Sequence, residues 1–231
     1  MALLVNSGRS GLAAALKSRP MFFAWGRGAP WWGQTVVKNK TFAGAPNRFT
    51  LDHAPVASLT VTDPNSAQIY EPQVDYTFDP NSGVVTRING GAIPSNGTVQ
   101  TQVVYGTTHI AAEDAALVDE VGRRAAASVE FVIPDAAGNL PTPDGNRWTA
   151  VHYATRYLYV ACQFDFLEAV GETIREIGIF VDSVRAAGVP EGRLYLAPDE
   201  VAQPGYLLLL DRIAGITRVP KREGFSYVLV I

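Results

Sequence analysis

The chain has 231 residues, a formal net charge of −3, 47% hydrophobic residues and only 18% charged ones. Its 19 basic and 22 acidic side chains are scattered without long runs, which excludes the electrostatic footprint of a nucleic-acid or anionic-lipid binder. The hydrophobic content, 21 Gly and 15 Pro describe a folded, loop-rich, β-dominated protein, and a single cysteine, Cys162, excludes an intrachain disulfide and a Cys-based zinc site.

The opening residues Met1 to Asn6 carry no basic region followed by a long apolar one, and nowhere do roughly 18 apolar residues run together, so neither an export signal nor a membrane span is expected. Asn6 or Ser7 can cap a short helix through Lys17, with Leu12 and Leu16 one turn apart, and Pro20 ends it. Met21 to Trp25 is a bulky strand candidate. In the following Gly26-Arg27-Gly28-Ala29-Pro30-Trp31-Trp32-Gly33, Gly and Pro forbid regular structure while the indoles demand contacts. As a phosphate cradle this loop lacks the third glycine, because Trp31 occupies that place. It reads instead as a packing or interface loop, with sugar stacking as the alternative.

From Gly44 to Gly106 short β-like runs alternate with turns. The runs are Arg48 to Leu51, Ser58 to Thr62, Tyr76 to Phe78, Val84 to Ile88 and Val99 to Tyr105. Turns fall at Asp63-Pro64-Asn65-Ser66, Asp79-Pro80-Asn81-Ser82-Gly83, Asn89-Gly90-Gly91 and Pro94-Ser95-Asn96-Gly97, as a small antiparallel sandwich requires. Val99, Thr101, Val103 and Tyr105 should line its packed face.

Residues 113–125 read as a second helix, with Leu117, Val121 and Ala125 on one face, acids at the start and Arg123 and Arg124 at the end. Val129 to Ile133 is a strand. In Arg156 to Phe166, Leu158, Val160, Cys162, Phe164 and Phe166 line one side, which turns Cys162 inward and away from nucleophilic work.

The next stretch, Gly171 to Val181, reads as a buried strand that pairs with 156–166. Alternation puts Arg175 on the face of Ile177, Ile179 and Val181, and Glu176 on the face of Ile174 and Phe180. Neighbouring charges on opposite faces cannot satisfy each other, so either each finds its own partner or the strand end is wet. Further strands are expected at 193–197, 205–211, 216–219 and 225–231. Gly205 to Leu210 is apolar on both faces and should be central in a sheet or covered by another subunit.

Chemistry-bearing motifs are sparse. His53, His109 and His152 do not occur in metal spacing, no Gly-x-Ser-x-Gly is present, and Ser10 lies in Gly8-Arg9-Ser10-Gly11, which lacks the elbow pattern. No catalytic, cofactor or metal residue is nominated, and an enzyme is not expected.

Ile174-Arg175-Glu176-Ile177-Gly178-Ile179-Phe180 resembles the signature of bacteriophage tail-fibre N-terminal and baseplate-attachment proteins. Leu4-Val5-Asn6-Ser7-Gly8 with Gly11-Leu12-Ala13-Ala14-Ala15, and Ala24-Trp25-Gly26-Arg27-Gly28, are similar to that family's opening helix and glycine segment. Asp75-Tyr76-Thr77, Gly83-Val84-Val85-Thr86 and Val103-Val104-Tyr105 resemble a small β module of phage virion proteins. The resemblance implies a structural component of the tail or baseplate, located in the virion and in the host cytoplasm during assembly. It would self-associate and join other tail, baseplate and fibre proteins, with no cofactor, no nucleic acid and no membrane. The chain ends at Ile231 without a repetitive shaft, which favours an adaptor over a complete fibre.

The expected fold is α+β, mostly β: an antiparallel-rich sheet domain with two short helices over 1–43 and 107–231, and an inserted small β-sandwich module over 44–106. Trp25, Trp31, Trp32, Arg175, Glu176 and Phe180 are the interface candidates. The alternative function is a carbohydrate- or receptor-binding module that uses Trp25, Trp31, Trp32 and Trp148.

Overall fold

The computed structural model describes residues 3–66 and 68–231. Met1 and Ala2, which open the stretch expected to carry no export signal, lie outside the described residues. The chain divides into two compact units, Met1–Gly28 with Ile110–Ile231, and Ala29–His109.

The first unit is built on two five-stranded antiparallel sheets. One has the order Tyr195–Leu196, Glu120–Ala125, Met21–Gly26, Thr173–Val181, Tyr206–Thr217. The other has the order Leu140–Pro141, Arg147–Val151, Ser128–Pro134, Tyr157–Phe164, Glu223–Val230. Met21–Gly26 is buried throughout because both of its faces are covered. Met21, Phe23 and Trp25 enter a core shared with Leu158, Val160, Cys162 and Phe164 of the other sheet, while Ala24 packs on the opposite face with Leu117 and Phe180. Each fully buried Leu, Ile or Phe here contributes about 1.5–3 kcal/mol.

Several expectations are corrected. The helix Asn6–Lys17 begins on Asn6 itself; its cap position is Val5 in extended backbone with no side-chain cap bond. It docks through Ala13 and Leu16, and Leu12 is 49% exposed. No second helix forms over 113–125. Glu120–Ala125 is a strand paired with Met21–Gly26 on one side and Tyr195–Leu196 on the other, and the residues before it are irregular. The helical spacing of Leu117, Val121 and Ala125 yields to long-range pairing, which no local pattern reports.

Strands 156–166 and 171–181 do not pair. Tyr157–Phe164 lies between Ser128–Pro134 and Glu223–Val230, and Thr173–Val181 lies between Met21–Gly26 and Tyr206–Thr217. They meet instead through side chains in the shared core. Phe166 lies beyond the strand and is 49% exposed. Alternation in Thr173–Val181 breaks at Arg175, where pairing with Tyr206–Thr217 shifts register, so Ile174 joins the core with Ile177. The apolar run at 205–210 is not central: Tyr206–Thr217 is one continuous strand at a sheet edge.

The second unit contains a four-stranded antiparallel sheet, in the order Thr35–Thr41, Thr98–Tyr105, Val56–Thr62, Ile69–Tyr70. A three-stranded sheet has the order Arg48–Thr50, Val84–Arg87, Tyr76–Asp79. Val99, Thr101, Val103 and Tyr105 are all buried, as their alternation requires. Turn carboxylates fix the connections. Asp63 accepts the backbone N–H of Asn65 at 2.7 Å and of Ser66 at 2.9 Å, and Asp79 accepts that of Asn81 at 3.0 Å.

Candidate functional site

Two of the three segments that carry the sequence resemblance in the first unit are cross-strand neighbours: Ala24 lies opposite Gly178, Trp25 opposite Ile177 and Gly26 opposite Glu176. This places them side by side where the chain leaves the first unit at Gly28, beside residues 110–119, with which it returns.

Glycine explains how the returning segment fits. A Cβ on Gly178 would lie 2.7 Å from Leu117 Cδ1, and one on Gly26 would lie 3.0 Å from Leu117 Cδ2 and 2.8 Å from Glu176 Oε2. The two glycines therefore open a notch for Leu117, the close approach that a glycine inside a strand signals.

Charges fasten the same place. Glu176 is fully buried; its Oε2 accepts the Val118 N–H at 2.8 Å and its Oε1 accepts Arg212 Nε at 3.3 Å. The Arg212 side chain, 7% exposed, also approaches Asp114 at 3.4 Å. The Arg27 N–H donates to the Asp119 carbonyl at 2.8 Å, and its guanidinium donates to Glu172 at 2.6 Å and to Asp119 at 3.0 Å. Hydrogen bonds from Arg27 hold the Glu172 carboxyl below its ordinary pKa. Arg175 donates to the Arg27 carbonyl at 3.2 Å. Arg175 and Glu176 thus have separate partners, one a backbone carbonyl and the other a guanidinium and a backbone N–H.

Two further arginines are interior. Arg123 donates to Glu120, to Ser183 and to the Pro204 carbonyl, and its guanidinium lies 4.2 Å from the Phe180 ring centroid. Arg218 donates to Glu223 at 2.7 Å and to the carbonyls of Asp165 and Lys221, and lies 5.3 Å from the Trp25 ring. Removing one partner of a buried pair leaves an uncompensated charge at a cost of about 3–5 kcal/mol, whereas an intact pair adds little net stability. Such pairs act by fixing which segments lie together.

Trp25 is buried edge-on against Phe164, and Trp32 and Phe180 are buried as well. Trp31 is half-buried and stacks on His53 with ring centroids 4.1 Å apart. Arg175 is half-buried. Trp148, 9% exposed, donates its indole N–H to Thr142. Trp25, Trp32 and Trp148 are thus buried, and Trp31 has one ring face on His53. Burial pushes the Cys162 thiol up to about 12, far from a reactive thiolate. Sequence reasoning missed Leu117, Val118, Asp119 and Arg212, which complete the clasp. The one signal pointing to them was glycine at 26 and 178, small residues in otherwise bulky strands.

This fold and site define a two-unit antiparallel β protein whose first unit is closed around the root of an insertion by paired charges and a glycine notch. A family model described as baseplate wedge 3 tail fiber network component matches residues 1–46 and 97–231, and the chain belongs to that family. It is therefore a phage virion protein of the baseplate and tail-fibre network. No curated protein matches it.

Proposed function

We propose that the chain is a structural adaptor that joins the baseplate to tail fibres and self-associates within that network, assembling in the host cytoplasm before it enters the virion. The observation that carries this reading is the clasp. The matched blocks 1–46 and 97–231 supply both signature segments, the Leu117 notch and the Glu176 to Arg212 pair, and all of these serve to hold segments together. We take the protein to be non-enzymatic; the interior charges of its first unit, Glu176 with Arg212, Arg123 with Glu120 and Arg218 with Glu223, are spent on one another. We also read the inserted unit as a small sandwich, since its two sheets share one buried cluster. Its strands Thr35–Thr41 and Thr98–Tyr105 pair residue by residue up to Thr41 opposite Thr98, so the unmatched residues 47–96 lie beyond the end of that pair.

Cross-linking mass spectrometry on purified virions tests the adaptor role. Links from this chain to both a baseplate protein and a fibre protein are expected. Links to a single class, or to neither, would overturn it.

A further inference from the structure

Residues 110–119 are the irregular segment through which the chain returns from the inserted unit, and they lie as a strap on the outer face of the first unit's sheet. Among these residues, all described, Leu117 is buried, Asp114 is half-buried and the rest are exposed. The strap is tied to the sheet mainly at its far end, through the Val118 N–H on Glu176, the Asp119 carbonyl on the Arg27 N–H, and the Asp119 carboxylate on Arg27, and once in its first half, where Arg212 approaches Asp114 at 3.4 Å. Its first half stands over a cleft of about 200 Å³ between Ile110, Ala111, Ala112, Asp114 and the run Leu207 to Leu210. Beneath it lie Ala24 and Phe180, with Leu207 and Leu210 packed alongside; Leu117 is the strap's contribution to that cluster.

A segment with one buried apolar anchor, no ladder of backbone bonds and a cleft beneath its other half has the makings of a unit that opens below the global unfolding energy. We propose that residues 110–119 form a latch that opens on its own while both sheets stay folded, uncovering the apolar patch of Ala24, Phe180, Leu207 and Leu210. Leu117 is the bolt, and Glu176 is the catch that receives it through the Val118 N–H. The notch at Gly26 and Gly178 lets the bolt seat without distorting the strands.

Residue-resolved hydrogen exchange on the full chain under native conditions tests this without reference to any virion partner, so its failure leaves the adaptor reading standing. In the wild type, after correction for intrinsic rates, the Val118 and Arg27 amides should exchange on the order of 100-fold or more faster than the slowest amides of Met21–Gly26 and Thr173–Val181. Leu117→Ala should speed Val118 exchange by on the order of 30-fold or more while leaving those strands within a few-fold of the wild type. If Val118 and the core strands share one protection in the wild type, the strap is an integral part of the sheet and the proposal fails. It fails equally if Leu117→Ala raises exchange in both sheets as much as in the strap. Should Leu117→Ala not fold, the wild-type comparison alone decides.

Discussion

The two units are both antiparallel and are held together in opposite ways. The first buries its charges: Glu176, Arg123 and Arg218 are almost wholly removed from water, and its strands join residues 21–26, 173–181 and 206–217 across most of the chain. In the second, Asp52 receives Lys38 at 2.6 Å and Lys40 at 2.5 Å at the surface, and its strands are linked by short carboxylate-capped turns. One exception crosses the pattern. Asp75 is buried in the second unit, but its partners are the backbone N–H groups of Glu71 and Ala92 rather than a guanidinium. The contrast teaches that the first unit depends on a few contacts to buried charges, because losing a partner there leaves a charge uncompensated in the interior, whereas the second keeps its ion pairs at the surface, where each adds little.

Substitutions should bear this out in graded fashion. Trp25→Ala, which empties a fully buried indole site beside Phe164 and Arg218, should cost about 3–5 kcal/mol in urea unfolding of the first unit, the largest effect foreseen. Arg212→Ala should approach that value at about 3–5 kcal/mol, because Glu176 is left buried and charged. A loss below 1 kcal/mol would place Arg212 with the surface pairs. Gly178→Ala should cost about 1–3 kcal/mol by pushing Leu117 out of its notch, with increased cleavage of residues 110–119 in limited proteolysis as the accompanying sign.

The second unit should respond less, and at the acid end of the pH range. Hydrogen bonds from Lys38 and Lys40 lower the Asp52 carboxyl from 3.8 to about 2. A folded-state pKa below the unfolded one contributes stability above the unfolded value and loses it as pH falls, so this increment should fade between about pH 4 and pH 2. Exposure of the pair limits it to roughly 0.2–1 kcal/mol, and Asp52→Asn should abolish the pH dependence of that increment. The first unit has lowered carboxylates of its own, Glu172 among them, and adds a window at high pH. Burial, with the hydrogen bond to Asp211, raises the Tyr227 hydroxyl well above its ordinary value. Its neutral form is therefore favoured in the fold, and the stability it contributes is lost as pH rises past about 10. Tyr227→Phe should flatten the alkaline limb of a pH series of melting temperatures.

How much could be read from the sequence follows the same division. In the second unit, Asp63, Asp79 and Gly83 are turn residues whose chemistry is local, and the runs between them fall on strands. In the first unit, the inward alternation of Leu158, Val160, Cys162 and Phe164 was visible, and so was the need of Arg175 and Glu176 for separate partners. Which strand lies beside which was not. Consecutive strands at 157–164 and 173–181 belong to different sheets, and Leu117 looked helical because its spacing to Val121 and Ala125 fits a helix as well as it fits a strap followed by a strand. Arg212 was invisible as a partner because nothing near it in sequence shows that a sheet edge will carry it to Glu176.

The clasp rests on Glu176 and Arg212 acting as a pair, and a double-mutant cycle measures that directly. Stability of the wild type, Glu176→Gln, Arg212→Met and the double variant should give a coupling energy of about 2–3 kcal/mol, with the double variant more stable than Arg212→Met alone. Additivity within about 0.5 kcal/mol would show that the two side chains act independently and would contradict the clasp.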